Sequence, residues 1–290
     1  MNKPLGSAWP APAKLNLFLH VTGQRADGYH ELQTLFQLLD WGDEVSIEPL
    51  DGPGIKRPRA SYAVPEADDL VVRAALRLQA ETSCRQGARI EVKKCIPAGA
   101  GLGGGSSDAA TVLVVLNRLW GCGLDVDELA SIGISLGTDV PVFVRGHSAL
   151  GSGLGDELQS VDLGDRYYLL VFPGFSISTE DVFMHPDLPA KSSKISLTEA
   201  LAGAGRNDCE VVVTKQFPHL KRMLKDLEQW GTVRMTGTGS TLFISMPDEK
   251  TAKSTAQAIK CRYNVRAVRG VDRSPLHELL DSGGTGGVKK

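Results

Sequence analysis

The densest chemical signal in the chain is a run of glycines. Residues Pro97 to Ser107 read PAGAGLGGGSS, with Gly99, Gly101, Gly103, Gly104 and Gly105 ahead of Ser106 and Ser107. Glycines admit positive φ and let backbone N–H groups come close to an anion, while a helix that follows them offers unpaired N–H groups and the positive end of its dipole. Such a segment is suited to holding phosphate. A Walker-type loop needs a lysine followed by Ser or Thr after its last glycine, and here Ser106 and Ser107 stand in that place. Gly99, Gly101 and Gly104 satisfy G-x-G-x-x-G, but the dinucleotide version needs an acidic residue ending a second strand roughly 20 residues on. Asp125 and Asp127 instead open a helix. A nicotinamide-dependent oxidoreductase and a glycine turn without ligand are therefore the weaker readings.

Two further residues have the types that phosphoryl transfer uses, a cation and a carboxylate. Lys14 sits between Ala13 and Leu15 on an apolar strand, where an ammonium is costly unless an anion is close. The alternative is an edge-strand lysine that discourages aggregation. Asn16, two residues on, shares its face. Asp139 lies in Gly137-Thr138-Asp139-Val140-Pro141, and local physics alone favours a helix N-cap ahead of the proline. Tyr29 and His30 follow the Asp27-Gly28 turn, where such side chains are more often surface packing than ligands. Gly237, Thr238 and Gly239 form a second glycine turn that reads equally as a plain hairpin. Asp108 suits the dipole of the loop helix but would repel phosphate, and is read as structural.

The elements that position these residues follow from periodicity. Ala13 to Val21 alternates Leu15, Leu17, Leu19 and Val21 with Lys14, Asn16, Phe18 and His20, the period of a strand. Trp41 to Glu48 and Ile90 to Ile96 read as strands, and Asp69 to Ala80 and Ser107 to Trp120 as helices, the second one buried. Asp125 with Glu128 three residues later predicts a capped helix ending near Gly137. Glycine-rich Gly146 to Gly155 precedes an apolar strand at Tyr167 to Phe172, which places a domain boundary near Gly155. The second half carries a polar loop at Lys191 to Ser196, a helix at Phe217 to Trp230 and a strand at Thr241 to Met246. The expected organisation is an N-terminal domain over 1–155, a C-terminal domain over 156–280 and a disordered Gly-rich tail over 281–290, in an α+β class.

Composition narrows the function. The 290 residues carry 32 Lys plus Arg against 34 Asp plus Glu, so no excess positive charge is available for a polyanion and nucleic acid is not expected as a partner. Hydrophobic residues at 42% allow a sizeable core. Cys84, Cys95, Cys122, Cys209 and Cys261 are scattered, odd in number and never in a C-x-x-C pair, which argues against a disulfide framework or a zinc site. No run reaches the roughly 18 apolar residues of a membrane span, and no signal-like start is seen; a cytoplasmic protein without membrane association is expected.

The segment Pro97 to Ala110, PAGAGLGGGSSDAA, resembles the ATP-binding motif of the galactose, homoserine, mevalonate and phosphomevalonate (GHMP) kinases. The resemblance extends to PAPAKLNLFLHVTGQRADGYHELQT near the start, GTDVPVFV in the middle and MTGTGSTLF late in the chain, from about Trp9 to Leu280. Those segments are similar to the members whose acceptor is a cytidine-diphosphate-linked methylerythritol. The resemblance implies a two-domain α+β fold with the active site in the interdomain cleft, ATP and Mg2+ as cofactors, and transfer of the γ-phosphate to the 2-hydroxyl of that acceptor in non-mevalonate isoprenoid synthesis. It implies Asp139 as the base and Lys14 as its electrostatic partner. It further implies nucleotide contacts from Lys94, Pro97, Gly99, Gly101, Leu102, Gly103, Gly104, Gly105, Ser106 and Ser107. Tyr29 and Phe183 would stack on the two faces of the cytosine, His30 would hydrogen-bond its edge, and Asn16 with Gly237, Thr238 and Gly239 would hold the rest of the substrate. Asp69-Leu70 would flank the adenine, although the family often has Asn where Asp69 stands. No dedicated metal cage is expected, and the resemblance leaves room for a weak homodimer. The competing readings are a GHMP kinase with another alcohol acceptor and a non-catalytic nucleotide- or RNA-binding module.

Overall fold

The computed structural model describes residues 8–58, 64–189 and 191–282. The chain runs β1 (Ala8–Gln24), β2 (His30–Leu50), β3 (Ile55–Lys56), α1 (Leu70–Thr82), β4 (Gly87–Lys93), α2 (Gly104–Leu119), α3 (Val126–Ile134), α4 (Val140–Arg145), β5 (Ala149–Ser152), β6 (Glu157–Ser160) and β7 (Arg166–Phe172). It continues with α5 (Thr179–Phe183), α6 (Leu197–Leu201), α7 (Cys209–Gln216), α8 (Pro218–Leu227), β8 (Val233–Met235), β9 (Leu242–Met246), α9 (Glu249–Ile259), β10 (Asn264–Val271) and α10 (Pro275–Ser282). Among the described residues the strands share hydrogen bonds in the order β3-β4-β2-β10-β7-β9-β8, with β1 and β5 also on β2 and β6 on β5. The expected α+β class is what the chain adopts.

β1 and β2 are long antiparallel partners joined by the Asp27-Gly28 turn, where Arg25 N–H donates to the Tyr29 carbonyl. Their ladder shifts register between Pro12 and Lys14 and again between Asn16 and Leu19. Such irregularities bend a strand and re-aim its side chains, and these two bracket Lys14 and Asn16.

Burial of apolar faces then builds three cores. α1, α2, α3 and α4 close over β2 and β4 through residues such as Leu78, Leu113, Leu116, Val140 and Ile90. A second core gathers α7, α8 and α9 against β7 and β9 through Val213, Leu220, Ile259, Leu169 and Ile244. A third lies between them and joins Leu15 and Leu17 to Tyr168, Leu170 and Phe243. Ile96, Ala100 and Leu102 are buried there, so the glycine segment is anchored by its own apolar residues. The two outer cores do not divide simply at residue 155. Leu19 and Val21 of β1 pack into the second core, whereas Leu276 and Leu280 of α10 return to the first.

Several boundaries differ from the sequence reading for local reasons. Asp69 is the N-cap of α1 rather than its first residue, its side chain accepting from Val71 N–H at 3.1 Å. α2 starts at Gly104, ahead of the expected Ser107, because the glycines themselves form the first turn. The Asp125–Glu128 capping box is present on α3. β4 ends at Lys93, short of the expected Ile96, since the backbone N–H groups of Cys95 and Ile96 turn to a carboxylate of β2, Asp43. The expected disordered tail over 281–290 is corrected at its start: Asp281 and Ser282 close α10, where Asp281 pairs with Arg273. Residues 283–290 lie outside the described ones.

Candidate active site

Lys14 and Asn16 project from the irregular stretch of β1 into a cavity of about 630 Å³ that lies between the two outer cores. Both are almost fully buried, at 3% and 2% exposure. The Lys14 ammonium lies 3.1 Å from Asp139 Oδ2, donates to Asn16 Oδ1 at 2.5 Å, and sits 5.6 Å from the centre of the Phe36 ring. Asn16 Nδ2 donates in turn to Thr34 Oγ1 at 2.8 Å, and Thr34 donates to the Phe18 carbonyl. This relay fixes the asparagine so that its oxygen faces the lysine, which orients the ammonium toward Asp139.

Asp139 does occupy the N-cap position of α4, with Pro141 in the first turn, but its side chain makes no capping hydrogen bond. The carboxylate faces Lys14 and stays about one third exposed to the cavity. The local expectation of a capping aspartate is therefore right in place and wrong in use. Only a contact 125 residues away in sequence could show that.

The glycine segment crosses above this pair. Gly101 has φ +74°, and a Cβ on it would lie 2.2 Å from the Thr236 carbonyl oxygen. Gly103 has φ +71°, and a Cβ there would meet the Phe143 ring at 2.9 Å and Lys14 Cε at 3.1 Å. Any side chain would thus push the loop off both Lys14 and the late glycine turn. The loop is held from below by Lys14 N–H to the Leu102 carbonyl and from the far side by Thr241 N–H to Ala100 and Ile177 N–H to Gly99. No side chain caps α2, so the first-turn N–H groups of Gly104, Gly105 and Ser106 face the cavity as a ready anion site. Pro97, Gly99, Gly101, Leu102 and Gly103 line the same wall. Ser107 is fully buried behind it, its hydroxyl without a hydrogen-bond partner.

Lys94 lines the cavity at the foot of the loop and is held by Asp43 and, at 2.7 Å, by Asp108. Burial, with Asp43 alongside, pushes the Asp108 carboxyl up to about 7 against the pull of Lys94. Asp69 and Leu70 line the cavity with Val64 and Val71, Leu70 Cδ1 lying 3.4 Å from where a Cβ on Gly105 would be. There Asp69 pairs with Arg57 at 2.8 Å, both side chains being buried. The negative charge that an Asn would not carry is thereby offset.

On the other side, Thr236 to Gly239 forms the second glycine turn. Gly237 and Thr238 line the cavity, while Gly239 lies behind the wall, its N–H bonded to the Thr236 carbonyl. Asn16 N–H donates to Thr236 Oγ1 at 2.9 Å, and Thr179 Oγ1 is 3.1 Å from Thr238 Oγ1. Asn207 donates to the carbonyls of Met235 and Gly237, at 2.8 and 2.7 Å. Phe183, at the end of α5, lines the cavity, and its ring partner is His30, with centroids 5.7 Å apart and planes 30° from parallel. Burial lowers the His30 pKa, which favours the neutral imidazole. Tyr29 is 61% exposed at the edge of the turn and does not line the cavity. His30, not Tyr29, is thus the ring set beside Phe183.

The structure gathers Lys14, Asn16, Asp139, Lys94, the glycine loop, the late glycine turn and Phe183 around one space. Sequence reasoning missed Asp43, Thr34, Asn207 and the Arg57–Asp69 pair. Asp43 left one trace: an acidic residue beside Trp41 and Val45 in an otherwise strand-like stretch. Asn207 and Thr34 left none.

Both halves of the chain match family models. Residues 69–147 match the GHMP kinases N terminal domain and residues 189–265 the GHMP kinases C terminal. The chain belongs to the GHMP kinases. It is 50% identical over 277 residues to the 4-diphosphocytidyl-2-C-methyl-D-erythritol kinase of Halorhodospira halophila (strain DSM 244 / SL1), covering 94% of this chain and 96% of that one. A crystal structure of 4-(cytidine 5'-diphospho)-2C-methyl-D-erythritol kinase superposes with a TM-score of 0.78 at 33% identity, over 92% of this chain and 100% of the other. A homoserine kinase from Cytophaga hutchinsonii, at 18% identity and a TM-score of 0.64 over 94% and 96% of the two chains, shares the fold. As a GHMP kinase the protein is a phosphotransferase with an alcohol acceptor. Among the described residues no helix is long and apolar enough to cross a membrane.

Proposed function

We propose that this GHMP kinase transfers the γ-phosphoryl group of ATP to the 2-hydroxyl of 4-diphosphocytidyl-2-C-methyl-D-erythritol, a step of non-mevalonate isoprenoid synthesis. The observation that carries the reading is the buried Lys14 held 3.1 Å from Asp139 between the glycine loop and the 237–239 turn. Asp139 accepts the proton of the acceptor hydroxyl. Its exposure to the cavity lets a hydroxyl approach, and the Lys14 ammonium 3.1 Å away orients it. As charge builds on the transferring phosphoryl oxygens, the same ammonium and the N–H groups at the start of α2 stabilise it.

The cavity and loop fit a triphosphate: glycines whose backbone faces the space, an uncapped helix start, and Lys94 beside it. Among the described residues no cluster of three or more His, Cys, Asp or Glu could hold a metal. A magnesium ion would arrive with the nucleotide and keep most of its water shell, with the Asp108 carboxyl lining the cavity beside the loop and the unpartnered Ser107 hydroxyl buried behind the wall. When bound, the ion neutralises charge on the β- and γ-phosphates. At the far end, Phe183 offers a face for the cytosine and His30, stacked beside that ring outside the cavity lining, a hydrogen-bonding edge. Asn16, Gly237 and Thr238 hold the diphosphate and the methylerythritol between these ends, with Gly239 shaping the turn from behind the wall.

The test is ADP release from ATP and magnesium with the cytidylyl acceptor, run beside mevalonate, homoserine and galactose. Turnover with the cytidylyl compound alone is expected. Preferred turnover of another alcohol would overturn the acceptor assignment while leaving the kinase intact.

A further inference from the structure

Asp43 lies on β2, fully buried, and does not touch the cavity. A carboxylate in such a place is costly unless its oxygens are satisfied. Here they accept from three donors that belong to the entry of the glycine loop: the Cys95 N–H at 2.5 Å, the Ile96 N–H at 2.7 Å, and the Lys94 ammonium. Lys94 then reaches Asp108 at 2.7 Å in the first turns of α2. One buried carboxylate thus ties the end of β4 to the loop, and through Lys94 to the helix on which the loop ends. The Lys94 ammonium lies 3.3 Å from where a Cβ on Gly104 would be, beside the open N–H groups of the helix start. Of the three charged groups, Lys94 and Asp108 line the cavity and Asp43 alone stands behind it.

Two carboxylates around one ammonium would leave the helix start net negative, which is unfavourable for a triphosphate. The raised pKa of Asp108 relieves this, because near neutral pH its carboxyl is partly protonated. Asp43 is then the anion that keeps Lys94 at the helix start.

We propose that Asp43 is a positioning residue for the ATP phosphates, acting through Lys94 and the loop entry rather than by touching the nucleotide. The inference rests on the ATP reading of the cavity. It goes beyond that reading in assigning nucleotide affinity to a residue outside the site.

The experiment is a comparison of the full-length parent with Asp43→Asn, Lys94→Met and the double variant. MgATP affinity is read by calorimetry, with steady-state kinetics in both substrates and a thermal melt alongside. Loss of one charge-assisted contact predicts that Asp43→Asn weakens MgATP binding roughly tenfold. At saturating MgATP, kcat should stay within about threefold and the acceptor KM should not move. The double variant should bind MgATP no more weakly than Lys94→Met alone, since the two act as one unit. MgATP affinity of Asp43→Asn equal to that of the parent overturns the proposal. So does a parallel fall of kcat and of both affinities together with the melting temperature, which marks a merely structural carboxylate. Asp43→Ser, which keeps an acceptor in a smaller volume, provides the same readout if Asp43→Asn does not fold. A parent that binds no MgATP overturns the ATP reading itself, and this inference with it.

Discussion

Replacing Asp139 by Asn separates the chemistry of the site from its electrostatics. The amide cannot take the hydroxyl proton, and loss of a positioned base lowers kcat by about 10²- to 10⁴-fold, or roughly 3 to 5 kcal/mol in the barrier. The same change leaves Lys14, 4% exposed in its side chain, without its anion. At 3.1 Å and an effective dielectric constant near 20 the gross attraction is about 5 kcal/mol. Asp139 is one third exposed, and Asn16 Oδ1 and the Phe36 ring remain beside the ammonium. The net cost should therefore be only about 1 to 2 kcal/mol. For a chain of this size that lowers Tm by roughly 2 to 8 °C. MgATP affinity should hold, because the N–H groups of Gly104, Gly105 and Ser106 and the Lys94 ammonium are untouched. Coupled ADP-release kinetics, calorimetry with MgATP and a thermal melt measure the three quantities. A kcat within threefold of the parent refutes Asp139 as the base, and a fall in MgATP affinity as large as the fall in kcat reassigns it to holding the nucleotide.

Gly101→Ala should cost roughly 1 to 3 kcal/mol in a thermal melt and abolish measurable MgATP binding, because the new Cβ meets a backbone carbonyl at a positive φ; unaltered binding would show that the loop does not need its contact with Thr236. Phe183→Ala should raise the acceptor KM about 5- to 150-fold, the equivalent of ~1 to 3 kcal/mol of lost base stacking, with kcat nearly unchanged. An unchanged KM would remove the ring from the cytosine site. The Asp108 carboxyl, lifted from 3.8 to about 7 chiefly by burial, binds its proton more tightly in the folded chain than in the unfolded one. This group therefore contributes most stability below pH 4, and the contribution is lost as pH rises toward 7, by up to about 1.4 kcal/mol per unit. Urea denaturation at pH 5, 6, 7 and 8 should show Asp108→Asn gaining on the parent as pH rises to 7, and a constant difference across that range would show that Asp108 is not protonated in the fold.

Much of this site was legible before any coordinates. The glycine segment announced a phosphate loop because glycine type and spacing act locally, through φ and the approach of N–H groups. The alternation that put Lys14 and Asn16 on one strand face, and the capping box at Asp125, are likewise short-range patterns that each residue carries with it. Resemblance over nearly the whole chain supplied the family, and with it roles for Asp139 and Phe183 that local physics did not favour. What only tertiary structure decided is which distant groups meet. Asp139 holds the position of a helix cap, yet its carboxylate turns to a lysine on β1 because the packing of α2 and α4 brings them together. His30, not exposed Tyr29, lies against Phe183, since the ring geometry depends on how α5 docks beside the β1–β2 turn. Asn207 and Thr34 were silent in the sequence, and Asp43 nearly so, because the atoms that decide their placement lie 16 to 53 residues away, and no local pattern records where a buried carboxylate or amide will find its donors and acceptors.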